Sequence, residues 1–508
     1  MRLACLPLIL LAPVSCLAQD VLQHHHNAAR DGRYTEPQLT RVTAASMHRD
    51  ASFYAPLPGP TYAQPLYATN GPGGRAALIV ATEQNIVLAI DASDGSEIWT
   101  ATLGAPVPLA QLPCGDIDPL GITGTPVVDA ANRIIYVDAM TTPDNGVTKL
   151  HRIFALSLDD GSILPGWPFD LSNVTFQGIA FDSTYQNQRG ALLLHDGILY
   201  IPYGGHAGDC GNYHGWVVGV PVENPAGATG WATGAIAGGI WGPGGVASDG
   251  HRIYAATGNT GGANTWAGGE AIVRLGRGAT FSGNPDDYFT PSNWLYLDEY
   301  DLDLGGSAPV LFNLPGAVPP HLALALGKNG VAYLLDRDHL GGLGTGDGVN
   351  GEGLESVQVS VGSIINAAAV YTAPSGTYAV FHSTDVGVGC PGTPGDLIAL
   401  RIASGSPPSL SVAWCANDLG GGLPIVTTTD GTSQPIVWTI GAEYTNQLHA
   451  FDGETGAVLF TGGGAADQMS NVQHFQTAIA VNGRIFVAAD YELYAFTTQV
   501  QPSAARRQ

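Results

Sequence analysis

The segment Asp298-Glu299-Tyr300-Asp301-Leu302-Asp303 sets two carboxylates, Asp301 and Asp303, at i and i+2. On an extended stretch such residues point the same way and could share one cation. Without a cation each would raise the other's pKa, so a bound metal or a retained proton is expected, the alternative being a solvated acidic turn. Asn259, in Ala256-Thr257-Gly258-Asn259, carries an amide oxygen of the kind that hard cations such as calcium accept, although an Asn after Gly is ordinarily a turn residue. Trp241, in Gly239-Ile240-Trp241-Gly242, offers a broad rigid face for a flat conjugated molecule, or else packs between structural elements. Lys328, in Gly327-Lys328-Asn329-Gly330, is one of two lysines in the chain, the other being Lys149. His206, Cys210 and His214 recur at intervals of four with Asp209 beside them, ligand types suited to copper or zinc, or else two hydrogen-bonding histidines around a structural disulfide. His24-His25-His26, read as exposed, could also take copper. Gly-x-Ser-x-Gly, a phosphate loop and Cys-x-x-Cys-His are all missing, so nucleophilic hydrolysis has no support and any electrons must leave to a separate carrier.

These residues need a scaffold, and a repeat supplies one. Ala89-Ile90-Asp91 with Asp94-Gly95 and Trp99, Ala155-Leu156 with Asp160-Gly161, and Ala450-Phe451-Asp452 with Thr455-Gly456 each read as a strand, a Gly turn and a returning strand. Short apolar or alternating runs recur between them, among them Ala77-Thr82, Ile198-Tyr203, His321-Leu326 and Arg484-Ala488. Their spacing, roughly 50 residues, marks a propeller with one four-stranded sheet per blade. Counting gives an all-β, eight-bladed β-propeller with blades at 58–103, 120–168, 188–233, 240–289, 305–344, 364–415, 422–463 and 474–499. The last blade is short, and Ser52-Leu57 is expected to supply its outer strand, a closure between the two termini that leaves no free sheet edge. Seven blades with an irregular insertion is the alternative. Gln64, Arg189, Asn366 and Gln476 stand at blade starts, where inner strands line the axis.

Composition agrees with many short strands and tight turns: 69 glycines and 34 prolines accompany only 12% charged and 45% apolar residues. A net charge of -24 argues against nucleic acid or an anionic membrane as partner. Residues 1–18 read as a secretory signal cut after Ala18, with Cys16 as a lesser lipidation candidate, and no later stretch is long and apolar enough to span a bilayer. The expected organisation is then an arm at 19–51, the propeller at 52–499 and a disordered tail at 500–508, in a periplasmic or secreted protein. Cys114, Cys210, Cys390 and Cys415 read as two disulfides; of three possible pairings, Cys114 with Cys210 and Cys390 with Cys415 is favoured.

The repeat resembles that of the pyrroloquinoline-quinone (PQQ) propellers, a family containing quinoprotein alcohol dehydrogenases and cofactor-free scaffolds of outer-membrane protein assembly. Residues 241–337 are similar, in order, to the cofactor-holding stretch of the dehydrogenases. The resemblance implies that Trp241 is the floor under the quinone, Asn259 a metal ligand through its amide oxygen, Asp301 the general base and Asp303 a ligand for a larger metal. It also implies that Lys328, followed by Leu335-Asp336-Arg337, reaches the quinone oxygens. Two departures stand out. The family's vicinal cysteine pair is reduced to Cys114 in Pro113-Cys114-Gly115-Asp116, so the lid over the quinone is absent or different. The metal-ligating glutamate is replaced by Asp209 in Asp209-Cys210.

The resemblance therefore implies a PQQ-dependent dehydrogenase-like oxidoreductase acting on a small-molecule alcohol, aldehyde or sugar. Asp209, Asn259, Asp301 and Asp303 would sit about calcium or a lanthanide, with Trp241, Lys328 and Cys114 about the quinone. Two rivals are a non-catalytic propeller binding a protein or glycan through its loops, and a propeller lyase or copper oxidase built on His206, His214 and His474.

Overall fold

A computed structural model describes residues 19–499; the leader read at 1–18 and the tail read at 500–508 lie outside the described residues. Eight sheets, each of at least four strands, form a ring, and strand order within each follows the chain. Blade 1, for example, runs Leu66–Ala68, Ala77–Thr82, Ile86–Asp91 and Glu97–Thr102. Its inner strands are buried on both faces, whereas Glu97–Thr102 alternates between buried and exposed positions. This gradient explains why inner strands read as unbroken apolar runs and outer strands as alternating ones. The core is a ring of layers, one between each pair of neighbouring blades, not a single centre.

The repeat motif fastens one blade to the next. Trp99 donates its indole N–H to Leu158 O at 3.0 Å, and Trp414 does the same to Gly453 O at 3.0 Å. Its ring lies against the turn glycine of the following blade. A Cβ on Gly161 would come within 2.6 Å of the Trp99 ring, and one on Gly456 within 2.6 Å of Trp414. Both glycines also hold positive φ, 70° and 71°, so both the turn and the packing require glycine.

The ring closes as the sequence leads one to expect. The last blade, Ile479–Val481, Arg484–Ala489 and Glu492–Thr497, receives its outer strand from the N-terminal side, through Ala55–Pro56 and also His48–Arg49. No blade is left with an open inter-terminal gap.

Upstream, the arm threads the axis. Val21 exchanges hydrogen bonds with Tyr67 at 2.8 Å, and the carbonyls of Leu22, Ala28, Ala29, Asp31 and Gly32 accept from Val128, Ser248, Leu311, Val370 and Val426 at 2.7–3.0 Å. Arg30 donates to His24 O, Leu192 O and Val246 O at 2.9, 2.9 and 3.0 Å, and Glu36 accepts from the amides of Asn482 and Gly483. Each of the eight blades thus bonds the arm, which closes the lower end of the channel. His24 and His25, read from sequence as exposed, are 2% and 0% exposed and stack at 4.4 Å. Burial in this plug removes them from any solvent-borne copper.

Candidate functional site

The opposite, upper face carries the loops that follow the second strand of each blade and the crossovers between blades. Three of these loops, from blades 3, 4 and 5, and the crossovers between blades 3 and 4 and between blades 4 and 5 build a pocket of about 410 Å³ lined by Asp209, Trp241, Asn259, Asp301, Asp303 and Lys328 among others.

The crossover between blades 4 and 5 is not extended at its acidic motif, contrary to the sequence expectation. It forms a helix, Trp294–Tyr300, that buries Trp294 and Leu297 and ends on Asp301 in a left-handed conformation at φ 55°. That cap reverses the chain, so Asp301 and Asp303 still converge, but through a turn. Lys328 Nζ bridges them, 2.7 Å from Asp301 Oδ1 and 2.5 Å from Asp303 Oδ2. It also stands 5.3 Å from the centre of the Trp241 ring, a cation–π distance. Asn259 donates Nδ2–H to Asp301 at 2.9 Å and N–H to Asp303 at 2.7 Å. Thr260 holds Asp298 by two bonds of 2.8 Å. Asp209 accepts from the Tyr213 hydroxyl at 2.6 Å.

Burial raises the Asp303 pKa even against the adjacent ammonium of Lys328. Burial alone would lower Lys328, but Asp303 and Asp301 outweigh it and raise the ammonium's pKa. Below them Glu270, missed by sequence reasoning, is fully buried and accepts from Leu304 N at 2.7 Å. Burial first, then Asp303, pushes its carboxyl well above the usual range, and Oε1 has no partner. The available sequence signal was a lone Glu opening an apolar strand, Ala271–Leu275.

The pocket's donor chemistry fits a hard cation. Asn259 Oδ1 is buried without a hydrogen-bond partner, and carboxylates stand beside it. Trp241 lines both upper cavities and packs against Gly306, where a Cβ would come within 3.0 Å of the indole ring.

Cys114 and Cys210 form a disulfide spanning 96 residues, and Cys390 and Cys415 form a second. The first ties the blade 1–2 crossover to the blade 3 loop at the pocket's edge; Asp116 and Asp209 line cavities, but Cys114 itself does not. Its partner's oxidation withdraws Cys210 from the proposed soft-metal run. His206 bonds Thr184 O at 3.1 Å and is held down to about 4 by burial, while His214 bonds Thr233 O at 2.9 Å. His474 pairs with Glu443 at 2.5 Å. Among the described residues no three His, Cys, Asp or Glu side chains group as a metal site, and the three channel histidines are not brought together. Of the axis-facing residues, Arg189 and Asn366 line the larger cavity. Gln64 instead bonds His25 N of the arm, and Gln476 bonds Thr61 O.

No family model matches the sequence, and no curated protein matches it. Solved structures do match by fold. The chain is similar to a quinohemoprotein alcohol dehydrogenase from Pseudomonas putida HK5, with TM-score 0.66, 14% identity and coverage of 96% of this chain and 82% of that one. The corresponding enzyme from Comamonas testosteroni gives 0.63 and 15%, with the same 96% and 82% coverage. A europium-containing methanol dehydrogenase gives 0.62 and 14%, over 94% of this chain and 98% of that one. The fold is thus an eight-bladed β-propeller, which this chain shares with these dehydrogenases.

Proposed function

We propose that this protein is a PQQ-dependent dehydrogenase-like oxidoreductase acting on an alcohol, aldehyde or sugar. The observation that carries this is the convergence of Trp241, Lys328, Asn259, Asp301, Asp303 and Asp209, drawn from loops of three blades and two crossovers, on one pocket. Trp241 would support the quinone, with Lys328 reaching its oxygens; Asn259, Asp303 and Asp209 would hold calcium or a lanthanide. When bound, the quinone supplies a hydride acceptor and the metal a Lewis acid.

The protein's own contribution is positional. Asp301, 68% exposed in its side chain, is the carboxylate best placed to take the proton from a substrate hydroxyl. Lys328 Nζ and Asn259 Nδ2 both donate to its Oδ1, at 2.7 and 2.9 Å, and so fix the orientation of the carboxylate. Glu270 anchors Leu304 and so the turn that carries Asp303. Electrons pass to a separate carrier. Two disulfides and the leader-like first 18 residues support a periplasmic or secreted location, and no described helix is long and apolar enough to cross a membrane.

One observation favours the second reading, a non-catalytic propeller that binds a protein or glycan: Lys328 pairs with both Asp301 and Asp303 from within the protein. The two readings separate on incubation with PQQ and calcium followed by desalting. Retained quinone absorbance with one equivalent of calcium, lost in Asp301→Ala and Lys328→Ala, supports the dehydrogenase; neither retained leaves the scaffold.

A further inference from the structure

A second, larger cavity of about 640 Å³ opens beside the first, walled mainly by loops of blades 6, 7 and 8 and sharing Arg189, Trp241 and Lys328 with it. Its wall holds a group that the chemistry above does not use. His382, the last residue of the strand Gly376–His382, is 2% exposed. Its Nε2 lies 2.8 Å from Asp418 Oδ2, though out of hydrogen-bond alignment, and Asp418 Oδ1 is 2.6 Å from His449 Nδ1. The carboxylate is therefore sealed between two imidazoles, with its side chain 0% exposed. Burial alone would raise Asp418, but the imidazoles of His382 and His449 on either side carry it well below the usual carboxylate range. Asp396 holds the same crossover by accepting from the amides of Asp418 and Leu419 at 2.8 and 2.9 Å.

An anion at Nε2 keeps a proton on that nitrogen and leaves Nδ1 as the free end of the ring. Nδ1 is buried and has no partner in the protein. A buried polar atom left so is a cost to the fold that a ligand in the cavity would remove. Opposition between burial and Asp418 leaves His382 with a raised pKa, so both its neutral and charged forms matter. A hydroxyl suits either, donating to the lone pair or accepting from the N–H, whereas an ammonium suits only one.

The surroundings agree. Asn366 donates Nδ2–H to His382 O at 2.9 Å, leaving its own Oδ1 buried and unpaired. Tyr444, 70% exposed, and Phe475 supply aromatic rings at the wall, where Asp116, Asp385, Asp396 and Glu443 outnumber Arg189 and Lys328 and disfavour an anion. Vicinal hydroxyls over a C–H face match such a mixture of unpaired polar atoms and rings.

We propose that this cavity binds a sugar or polyol through His382, which Asp418 and His449 position. As a substrate subsite it rests on the dehydrogenase reading; as a binding site it does not. The test therefore uses the protein without quinone, titrated with D-sorbitol, D-glucose, 1-propanol and ethanolamine by calorimetry and by histidine Cε1–H NMR. Saturable binding of sorbitol or glucose is expected, with one histidine resonance shifting that is missing in His382→Gln, and a weakening of at least tenfold in that variant. Tyr444→Ala, at an exposed position, should weaken binding severalfold without disturbing the fold, and Asp298→Asn, in the other pocket, should leave it unchanged. No saturable polyol binding, binding indifferent to both His382→Gln and Tyr444→Ala, or preference for ethanolamine overturns the proposal. Polyol binding without quinone retention would keep this site and remove the dehydrogenase reading; quinone retention without polyol binding would do the reverse.

Discussion

The two ends of the channel are built from the same eight blades and treat polar groups in opposite ways. At the lower end the arm's carbonyls at 22, 28, 29, 31 and 32 each accept a blade amide, and Arg30 fills three more carbonyls. Three ring nitrogens are left over there: His24 Nδ1 and His25 Nε2, in a stacked pair beside a space of about 10 Å³, and His26 Nδ1, whose ring packs on Tyr34. At the upper end Asn259 Oδ1, Asn366 Oδ1 and His382 Nδ1 are unpaired on residues that line cavities of about 410 and 640 Å³. An unpaired buried atom with no room beside it is a cost of packing; one beside a cavity is a site awaiting a ligand. The lower end is thus a structural seal and the upper end, under the proposed function, the binding face.

The largest effect should come from the seal. Arg30→Ala leaves three buried carbonyls without their donor and is expected to lose about 3–5 kcal/mol in urea unfolding. A loss below about 1 kcal/mol would break the comparison, because the arm would then be an ornament on a ring that closes unaided.

At the upper rim, replacing Cys114 and Cys210 together with serine opens a cross-link across 96 residues. The expected loss is about 2–4 kcal/mol by thermal unfolding, with faster amide exchange confined to the loop after blade 3's second strand. Exchange that spreads to the arm would show that the two ends are coupled.

Glu83 sharpens the contrast through pH. Burial pushes its carboxyl up to about 7 from an ordinary 4.5, against the hydrogen bond from Gly121 N. Between those values the folded chain keeps the proton that the unfolded chain releases, so stability falls as pH rises through the window. Glu83→Gln should flatten that fall by about 1–3 kcal/mol between about pH 5 and pH 8, as read from denaturation midpoints. An unchanged slope would mean that the carboxyl is ionised and paired.

The smallest change in stability is expected at Asp301. Its side chain is largely exposed, so Asp301→Asn should shift unfolding by less than about 1 kcal/mol, and under the proposed function it should abolish turnover. Equal loss of stability at Asp301 and Arg30 would erase the distinction between seal and site.

Fold and site differed in how much could be read from residue order. Strand periodicity and turn chemistry are local, so Trp99, Gly161 and Gly456 announced the repeat, the count of eight and the closure by Ala55–Pro56 before any coordinates. Trp241, Asn259, Asp301 and Lys328 were legible as candidates because each sits in a short distinctive segment. The run His206-Cys210-His214 left two readings open for the same reason, a soft-metal site or a disulfide flanked by two bonded histidines, and Cys210 is joined to Cys114, 96 positions earlier, as the favoured pairing expected.

What the sequence determined by itself was a ring of eight four-stranded blades, since nearest-neighbour patterns specify strands, turns and their repetition. Tertiary structure alone decided that His24 and His25 lie in a plug, that Lys328 bridges Asp301 and Asp303, and that Asp418 sits between His382 and His449. Those partners come from different blades or from distant positions in the chain, and burial and pairing across such distances depend on how the ring closes, which no local pattern encodes.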